Sequence, residues 1–340
     1  MKPVFVPNYY PRFRCIADAC RHSCCVGWEI DVDEEALTRY DGVTGELRAR
    51  LDRGIDRHAE PPCFRLTADE RCPFLNARGL CDIITELGEE ALCHICADHP
   101  RFRHAQSDRV ELGLGLCCEA AGALILGQTE PVSLMTLPEE ASRRERAAWE
   151  EPTPPEPFEL SMRELRDEAL EILGDVTCPV ALRQRRLLRR MGVSVPDGSY
   201  AAWSRLLWDM ERLDPAWEAD LRRLACTEGS VETEPEGEGS EAYAHLLAYF
   251  LYRYMTAEDD GRAHPVGVRV AFAVISTALI HAILRARGED SFETLVEVSR
   301  LYSSEIEYSE ENMEMFFNFL EEACYPPDSE ESSAWSADKE

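Results

Sequence analysis

Apolar side chains recur with a helical period through most of the second half of the chain. The first such run, residues 161–191, is amphipathic, and its opening residues Ser161-Met-Arg-Glu164 have the spacing of a capping box. Further runs with this period cover residues 200–213, 242–256, 266–284, 291–303 and 310–323. The pattern therefore predicts an all-helical region over residues 159–325.

The most apolar run, residues 266–284, requires a choice between two kinds of helix. Its length approaches the ~20 residues that span a membrane. Arg269 and His281 interrupt it, and no cluster of basic residues flanks it. We therefore predict a buried core helix and no association with a membrane.

The first 126 residues lack this regularity. Their apolar pieces are short, turn residues are frequent, and only residues 112–126 give a clear helical pattern. A bound metal can replace a missing hydrophobic core in such a region. The chain is thus predicted to be mainly α, with an N-terminal cysteine-rich metal-binding region, residues 1–126, followed by the all-helical region.

Three further segments are predicted to be irregular. Residues 127–158 are charged and then rich in proline, which removes backbone donors and breaks helices, so they are predicted to form an exposed linker. Residues 228–241 are predicted to be an acidic loop of low complexity. Residues 326–340 are acidic and serine-rich and are predicted to be a disordered tail.

Composition narrows the possible function classes. The chain has 340 residues, 45% of them hydrophobic, which is enough for a globular core, and its formal net charge is −29. Such a charge argues against nucleic acid and anionic membranes as unaided partners. It would attract a lysine-rich protein, although it would equally serve solubility alone.

Cysteine is the residue type with the most informative distribution. Eleven of the fourteen cysteines lie in the first 118 residues, and four of them form a tight knot at Cys15, Cys20, Cys24 and Cys25. No apolar core of a secretory signal is visible at the N-terminus, so we expect a cytoplasmic location. Clustered cysteines in a reducing compartment serve as metal ligands or reactive thiols more often than as disulfides.

The chemistry of these thiols leaves two metals open. Thiolates favour zinc and iron–sulfur clusters over magnesium or calcium. The spacing C-x4-C-x3-C-C matches neither zinc ribbons nor ferredoxins. Adjacent Cys24 and Cys25 would serve two metals, or one ligand and one supporting thiol. The sequence contains no P-loop, nucleophile elbow or complete dinucleotide-binding fingerprint, so nothing in it predicts a Rossmann methyltransferase domain.

Several motifs in the same order identify a family resemblance. They are Tyr10-Pro-Arg-Phe13, the cysteine knot, Val-Gly27-Trp28-Glu-Ile-Asp31, Cys72-Pro-Phe-Leu-Asn76, Leu80-Cys81-Asp-Ile83, Cys96-Ala-Asp-His99-Pro-Arg101 and Leu116-Cys117-Cys118-Glu119-Ala-Ala121. Together they resemble the flagellin lysine N-methylase (FliB-like) family, closely over about the first third of the chain. His99 stands where the family has tyrosine, and Cys118 where it has proline.

The resemblance implies a [4Fe–4S] cluster and transfer of methyl groups from S-adenosylmethionine to surface lysines of flagellin. Its best ligand set is Cys15, Cys20, Cys24, Cys25, Cys72, Cys81, Cys96 and Cys117. Cys63, Cys93 and Cys118 are then extra thiols. Eight ligands exceed the need of one four-iron cluster, so either two sites exist or some thiols support the others. A more distant similarity to cysteine-rich zinc- or iron-chelating proteins keeps zinc as the alternative.

A few further residues are candidates for handling the substrates. Tyr10 and Asp31, with Asp33 close by, would receive or hold the proton of the lysine amine. Trp28 would cover the sulfonium, and Arg101 would bind the donor carboxylate. Each also has a purely structural interpretation. Tyr10 would be a packing residue and the two aspartates helix caps, while Trp28 would shield the cluster from water and Arg101 would form a structural ion pair. The competing function is a non-catalytic zinc- or iron-binding module that docks a protein partner.

Overall fold

The computed structural model describes residues 2–138, 151–231, 240–256 and 264–325. These residues form two compact units. The smaller unit contains Arg14–Phe102 and Cys118–Ala120, and the larger unit contains the described residues of Met1–Phe13, Arg103–Cys117 and the chain after Ala120. The predicted tail, most of the predicted acidic loop and part of the predicted linker lie outside the described residues.

Strands and helices both occur before residue 137, and the described residues after it are helical or irregular. The strands are β1 (Val4–Pro7), β2 (Ile55–Asp56), β3 (Cys63–Phe64), β4 (Arg101–Ala105), β5 (Val110–Leu114) and β6 (Leu134–Thr136). The helices are α1 (Glu34–Asp41), α2 (Gly45–Gly54), α3 (Asp82–Leu87), α4 (His94–Asp98), α5 (Glu119–Leu126), α6 (Pro157–Gly174), α7 (Val180–Met191), α8 (Tyr200–Trp208), α9 (Pro215–Cys226), α10 (Ser240–Tyr254), α11 (Val266–Arg287), α12 (Phe292–Tyr302) and α13 (Glu310–Cys324). The predicted helical character is confirmed, but a mainly α description is incomplete, because two sheets are also present.

A four-stranded sheet with strand order β4-β5-β1-β6 is the feature that periodicity did not predict. β1 runs parallel to β5, with Val4 opposite Val110, and antiparallel to β6. Its strands have three to five residues, too few for a clear alternation of apolar and polar positions. The helix predicted over residues 112–126 is therefore wrong in its first half, since β5 ends at Leu114 and α5 begins only at Glu119.

Most helices of the larger unit follow the periodic runs, but α9 (Pro215–Cys226) lies between two predicted runs and was not predicted. α11 packs against α9, α10, α12 and α13 and forms the centre of this unit. The run predicted over residues 161–191 is divided between α6 and α7. Its capping box uses Glu156 and Glu159 rather than Ser161 and Glu164. The helix starts earlier than predicted because Pro157 occupies its first turn, where a missing backbone donor costs nothing.

The apolar run predicted as a core helix is α11. By length and composition this helix is able to cross a membrane, but 94% of its most apolar window is buried within the protein. The ring of Phe272 on α11 lies with its centroid 4.7 Å from that of Phe317 and 5.8 Å from that of Phe250. Burial of this extent is typical of a helix in a protein core.

Buried ion pairs join elements within the larger unit. Arg166 on α6 donates to both carboxylate oxygens of Glu111 on β5, at 2.5 and 2.8 Å, and the two side chains are 1% and 0% exposed. Asp220 on α9 accepts two hydrogen bonds from Arg287 at the end of α11. A buried charge that loses its partner is costly, so each pair fixes its two elements together.

The smaller unit has a hydrophobic cluster of its own. The ring of Phe74 meets that of Phe64 edge to face, with centroids 5.0 Å apart. Helices α1 and α2 and strand β2 contribute the buried residues Tyr40, Leu47, Leu51 and Ile55. This cluster is the surface on which several of the predicted metal ligands are arranged.

Candidate metal centre in the smaller unit

Residues 15–28 form turns rather than a long helix, and backbone pairing holds them against residues 70–72. Gly27 N donates to Glu70 O at 2.9 Å, and Cys72 N donates to Cys25 O at 2.8 Å. Gly27 has a φ of +76°, which glycine adopts without the strain that a side chain would cause. The pairing places Cys25 beside Cys72, although the two are far apart in sequence.

Five cysteines pack into or against the hydrophobic cluster of the smaller unit, and we call them the inner thiol group. Cys72 and Cys93 are buried in the cluster, with 5% and 1% of their surface exposed. Cys25, Cys81 and Cys96 are partly buried against it. Four of the five are predicted ligands. The fifth, Cys93, is a thiol that the family motifs leave out.

Three other thiols, Cys15, Cys24 and Cys118, form what we call the outer thiol group. Cys15 and Cys24 are exposed, and Cys118 is partly buried. The pKa of Cys24 is raised, first by its hydrogen bond with Cys25 and by desolvation, and then by the charges of Cys118 and Cys15. The three thiols are grouped by this electrostatic influence alone.

An ion pair holds together the two chain segments that carry the outer thiol group. Glu119 accepts a hydrogen bond from Arg21 N at 3.0 Å and another from Arg21 Nε at 2.9 Å. The thiol of Cys20 lies 3.9 Å from the same carboxylate and 3.3 Å from His22 O. The predicted ligand Cys20 therefore lies beside the outer thiol group, with its thiol donating to oxygen atoms.

Two pairs of neighbouring thiols are hydrogen-bonded to each other. The bond from Cys24 is the main reason why the pKa of Cys25 is lowered to about 7. The bond from Cys96 likewise lowers the pKa of Cys93. The thiolate is the form of cysteine that binds metals, so a lowered pKa prepares Cys25 and Cys93 for that role.

Among the described residues, the thiols do not form a site for a single metal ion. All fourteen cysteines are free thiols. Within residues 2–138 and the other described ranges, no three Cys, His, Asp or Glu side chains are positioned to hold one metal ion. A zinc ion with sulfur ligands at about 2.3 Å requires sulfurs about 3.8 Å apart. Iron–sulfur clusters are also held by thiolates, so the grouped thiols have the ligand chemistry that such a cluster requires.

The other predicted residues of the smaller unit lie outside the two thiol groups. Trp28 and Arg101 are partly buried, and Arg101 Nη1 donates to Ala97 O at 3.3 Å. Asp31 is exposed, and its backbone pairs with that of Cys63. An exposed carboxylate is open to a substrate, so this position remains compatible with the predicted proton transfer.

Two predicted residues, Tyr10 and Cys117, belong to the larger unit. Tyr10 begins a 3-10 turn shortly after β1 and is 8% exposed. Cys117 follows β5 closely and is 6% exposed, and its thiol hydrogen-bonds to the phenol of Tyr308. The structure therefore assembles the other seven predicted ligands in one unit and gives Cys117 surroundings of its own.

Asp33 caps two helices of the smaller unit. Its carboxylate accepts Ala36 N at 2.9 Å at the start of α1 and His94 N at 2.7 Å at the start of α4. Burial acts to raise the pKa of this carboxyl, but the two hydrogen bonds outweigh it and hold the pKa below its ordinary value. Because α4 carries Cys96, Asp33 helps to position the inner thiol group.

Replacing Asp33 by alanine is expected to destabilise the protein by about 1–2 kcal/mol, because both caps are lost. Asp33→Asn keeps one acceptor oxygen and should show about half of that loss. Asp31→Ala, at an exposed site, is the matched control and should change stability by less than about 0.5 kcal/mol. Urea denaturation gives the free energies, and an Asp33→Ala protein as stable as the control would contradict the capping role.

His99 is the residue that stands in place of the family's tyrosine. Burial, and secondarily the charge of Arg101, lowers its pKa to about 4. The pKa of His99 is thus lower in the folded protein than in the unfolded chain, where it has its ordinary value. This difference makes the stability of the protein depend on pH. The unfolded state binds the extra proton below about pH 6.5, so stability is complete above that pH and is lost as the pH falls towards 4.

The His99→Tyr variant is expected to lose this dependence, which corresponds to up to about 3 kcal/mol between pH 6.5 and 4. Urea denaturation at several pH values measures it. The exposed His58→Gln variant serves as the control and should follow the wild type. Parallel pH profiles for His99→Tyr and the wild type would show that His99 does not cause the acid sensitivity.

Sequence reasoning set aside two thiols that the structure places in the groups. Cys93 belongs to the inner thiol group and Cys118 to the outer one. The spacing Cys93-x-x-Cys96 was the available signal, because a C-x-x-C pair brings two sulfurs together across one helical turn. Nothing in the sequence links Cys118 to Cys24, since the electrostatic influence of one on the other depends on the fold.

Fold and thiols together define a helical protein with a cysteine-rich unit that is rich in free, grouped thiols. The curated proteins to which the chain is similar include two named Lysine-N-methylase. The chain is 29% identical over 149 residues to a protein named Lysine-N-methylase from Salmonella typhimurium, covering 39% of this chain and 35% of that protein. It is 28% identical over 149 residues to the Flagellar biosynthetic protein FliU from Salmonella muenchen, covering 84% of that protein. The resemblance to the flagellin lysine N-methylase family is thereby confirmed.

These similarities cover only part of the molecules. The match spans about a third of the length of the lysine N-methylases from Salmonella typhimurium and Salmonella choleraesuis. No family model matches the chain, and no solved structure matches it. The activity, cofactors and substrate of this chain are therefore matters for proposal.

Proposed function

We propose that this chain is an S-adenosylmethionine-dependent protein-lysine N-methyltransferase that acts on flagellin in the cytoplasm and holds an iron–sulfur cluster with its N-terminal cysteines. The observation that carries the proposal is the similarity to proteins named Lysine-N-methylase. The grouped free thiols support the cluster. The high negative charge, −29, suits a substrate that presents lysines.

The reaction is a direct displacement. The neutral lysine nitrogen attacks the methyl carbon of the sulfonium, the new N–C bond forms as the S–CH3 bond breaks, and the sulfur keeps the electron pair. The lysine ammonium must lose one proton before its nitrogen attacks. The methylated product is again an ammonium, and it releases a second proton when it becomes neutral. Catalysis therefore needs a proton acceptor and alignment of nitrogen, carbon and sulfur.

We assign these tasks to the chain's own residues. Asp31 is exposed and able to accept the amine proton. The indole of Trp28 would cover the sulfonium by a cation–π contact. Arg101 would bind the donor carboxylate through its guanidinium. A bound cluster would supply an iron with an open position for the methionine part of the donor.

The test uses protein purified without oxygen, incubated with flagellin and S-adenosylmethionine labelled in its methyl group. Mass spectrometry should find the label on flagellin lysines. The Cys24→Ser variant should lose bound metal and activity together. Full activity in a metal-depleted Cys24→Ser protein would overturn the proposed role of the cluster. Bound metal without donor binding or lysine methylation would instead identify a non-catalytic module that docks a partner.

A further inference from the structure

The larger unit contains a cluster of charged and aromatic side chains that the proposed reaction does not use. Its negative charge is Glu307, whose side chain is 0% exposed. The carboxylate accepts hydrogen bonds from Tyr249 Oη at 2.9 and 3.1 Å and from Tyr254 Oη at 2.8 Å. Burial raises the pKa of both phenols well above the ordinary value, so both stay protonated and able to donate. The two phenols therefore fix the orientation of the carboxylate.

Arg253 supplies a cation to this carboxylate. Its Nη1 lies 3.3 Å from Glu307 Oε1 and donates to Tyr249 Oη at 2.7 Å. The guanidinium carbon lies 5.6 Å from the ring centroid of Tyr254 and 5.1 Å from that of Tyr308. Cation–π attraction at such distances adds to the ion pair. One cation is thus surrounded by a carboxylate, a phenol oxygen and two aromatic rings.

An uncommon turn of the backbone contributes to this arrangement. A π-helical turn at Ser303–Glu307 brings the carboxylate and the following Tyr308 to the cluster. Turns of this kind are rare and frequently lie at functional sites. The other members come from the end of α10, where Tyr249 and Arg253 lie on one helical face. A tie between two helices needs only an ion pair, whereas this arrangement encloses a cation from several sides.

The members of the cluster differ in their access to solvent. Tyr249 and Glu307 are buried, whereas Arg253, Tyr254 and Tyr308 are only partly buried. The side chain of Arg253 is 12% exposed. The buried carboxylate and phenol therefore form the floor of a cation site, and the two other tyrosines form its rim. The cation itself lies at the side that solvent reaches.

We propose that Tyr249, Tyr254, Glu307 and Tyr308 form a cation cage for a basic side chain of the protein substrate, and that Arg253 occupies this cage in the free protein. That the partner is a lysine-bearing protein rests on the proposed function. Exchange of one cation for another keeps the buried carboxylate paired, so no uncompensated charge is left behind. The long side chain of Arg253, near the end of α10, is able to turn into solvent. The cage binds an arginine or a lysine near the residue to be methylated and takes no part in methyl transfer.

The test measures the binding of two short, terminally blocked peptides to the full chain by calorimetry, one with a single arginine and one with a single lysine among glycines. Arg253→Met should bind at least one of them about tenfold more tightly than the wild type, because the internal competitor is gone. Arg253→Met/Glu307→Gln lacks the anion of the cage and should lose this gain. Arg39→Met removes the same charge from an exposed pair and should bind like the wild type. A peptide with norleucine in place of the basic residue should not bind.

A second measurement uses the wild type and so does not depend on the folding of Arg253→Met. In a nuclear magnetic resonance titration, excess peptide should shift the side-chain Nε–H signal of Arg253. The signal of Arg166, which is 1% exposed in its pair with Glu111, is the control and should not move.

Either of two results would overturn the cation cage. They are equal or weaker peptide binding by a folded Arg253→Met protein, and an Arg253 signal that excess peptide leaves unchanged. Neither readout uses methyl transfer. A protein that binds the peptides as expected but leaves flagellin unmethylated would refute the proposed function alone. A protein that methylates flagellin without either response would refute the cage alone.

Discussion

Arg166→Met is expected to destabilise the protein by about 2–4 kcal/mol, because it removes two hydrogen bonds from the buried carboxylate of Glu111 and leaves it only the pair with Arg109 Nε at 3.3 Å. The side chains of Arg166 and Glu111 are 1% and 0% exposed and share two hydrogen bonds. Burial acts to raise the pKa of Glu111, but the charge and hydrogen bonds of Arg166 outweigh it and hold the pKa below its ordinary value. Urea denaturation at neutral pH measures the loss.

Two control variants make this prediction specific. The double variant Arg166→Met/Glu111→Gln removes both charges and should recover part of the lost stability, because the fully buried carboxylate is no longer charged; Arg109, 14% exposed, loses its partner and keeps the recovery incomplete. Arg39→Met breaks an exposed pair with Glu35 and should cost no more than about 0.5 kcal/mol. A loss in Arg166→Met no larger than that in Arg39→Met would refute the buried pair.

Phe272→Ala is expected to destabilise the protein by about 3–5 kcal/mol, since it opens a cavity at the centre of the larger unit. Phe272 is fully buried on α11, and its ring contacts those of Phe250, Tyr254, Phe316 and Phe317. Edge-to-face and stacked contacts of this kind add to the loss of buried area. The same urea denaturation measures it.

Phe292→Ala is the matched control for this prediction. Phe292 is 42% exposed at the start of α12, so the same change of side chain removes little buried surface. Its expected cost is less than about 1 kcal/mol. Equal effects of Phe272→Ala and Phe292→Ala would mean that α11 is not the core helix of this unit.

Long helices were predictable from the sequence, and short strands were not. The helices from α8 onward, apart from the unpredicted α9, each present many apolar residues at helical spacing, and the burial of α11 follows from its composition. β1 and β5 are four and five residues long, and their pairing depends on contacts between segments more than 100 residues apart. The local pattern of apolar and polar residues does not indicate which distant segments pair.

The candidate site was likewise only partly predictable from the sequence. Thiol chemistry and family motifs were sufficient to predict seven cysteines that the structure places in the smaller unit. They did not predict the sorting by burial, because Cys24 and Cys25 are neighbours in sequence but differ in their surroundings. They also excluded Cys93, whose position in the inner thiol group is set by the packing of α4. Likewise, the capping by Asp33 depends on a contact with His94 across the fold.

The most direct test of the central claim, that the cysteine-rich unit carries iron–sulfur chemistry, is elemental analysis with an absorption spectrum on protein purified without oxygen. The account predicts iron and acid-labile sulfide in equal amounts, at least about four of each per chain, with a broad brown absorbance. Zinc without sulfide would contradict it, because the metal would then be structural and the chain a binding module rather than an iron–sulfur methyltransferase.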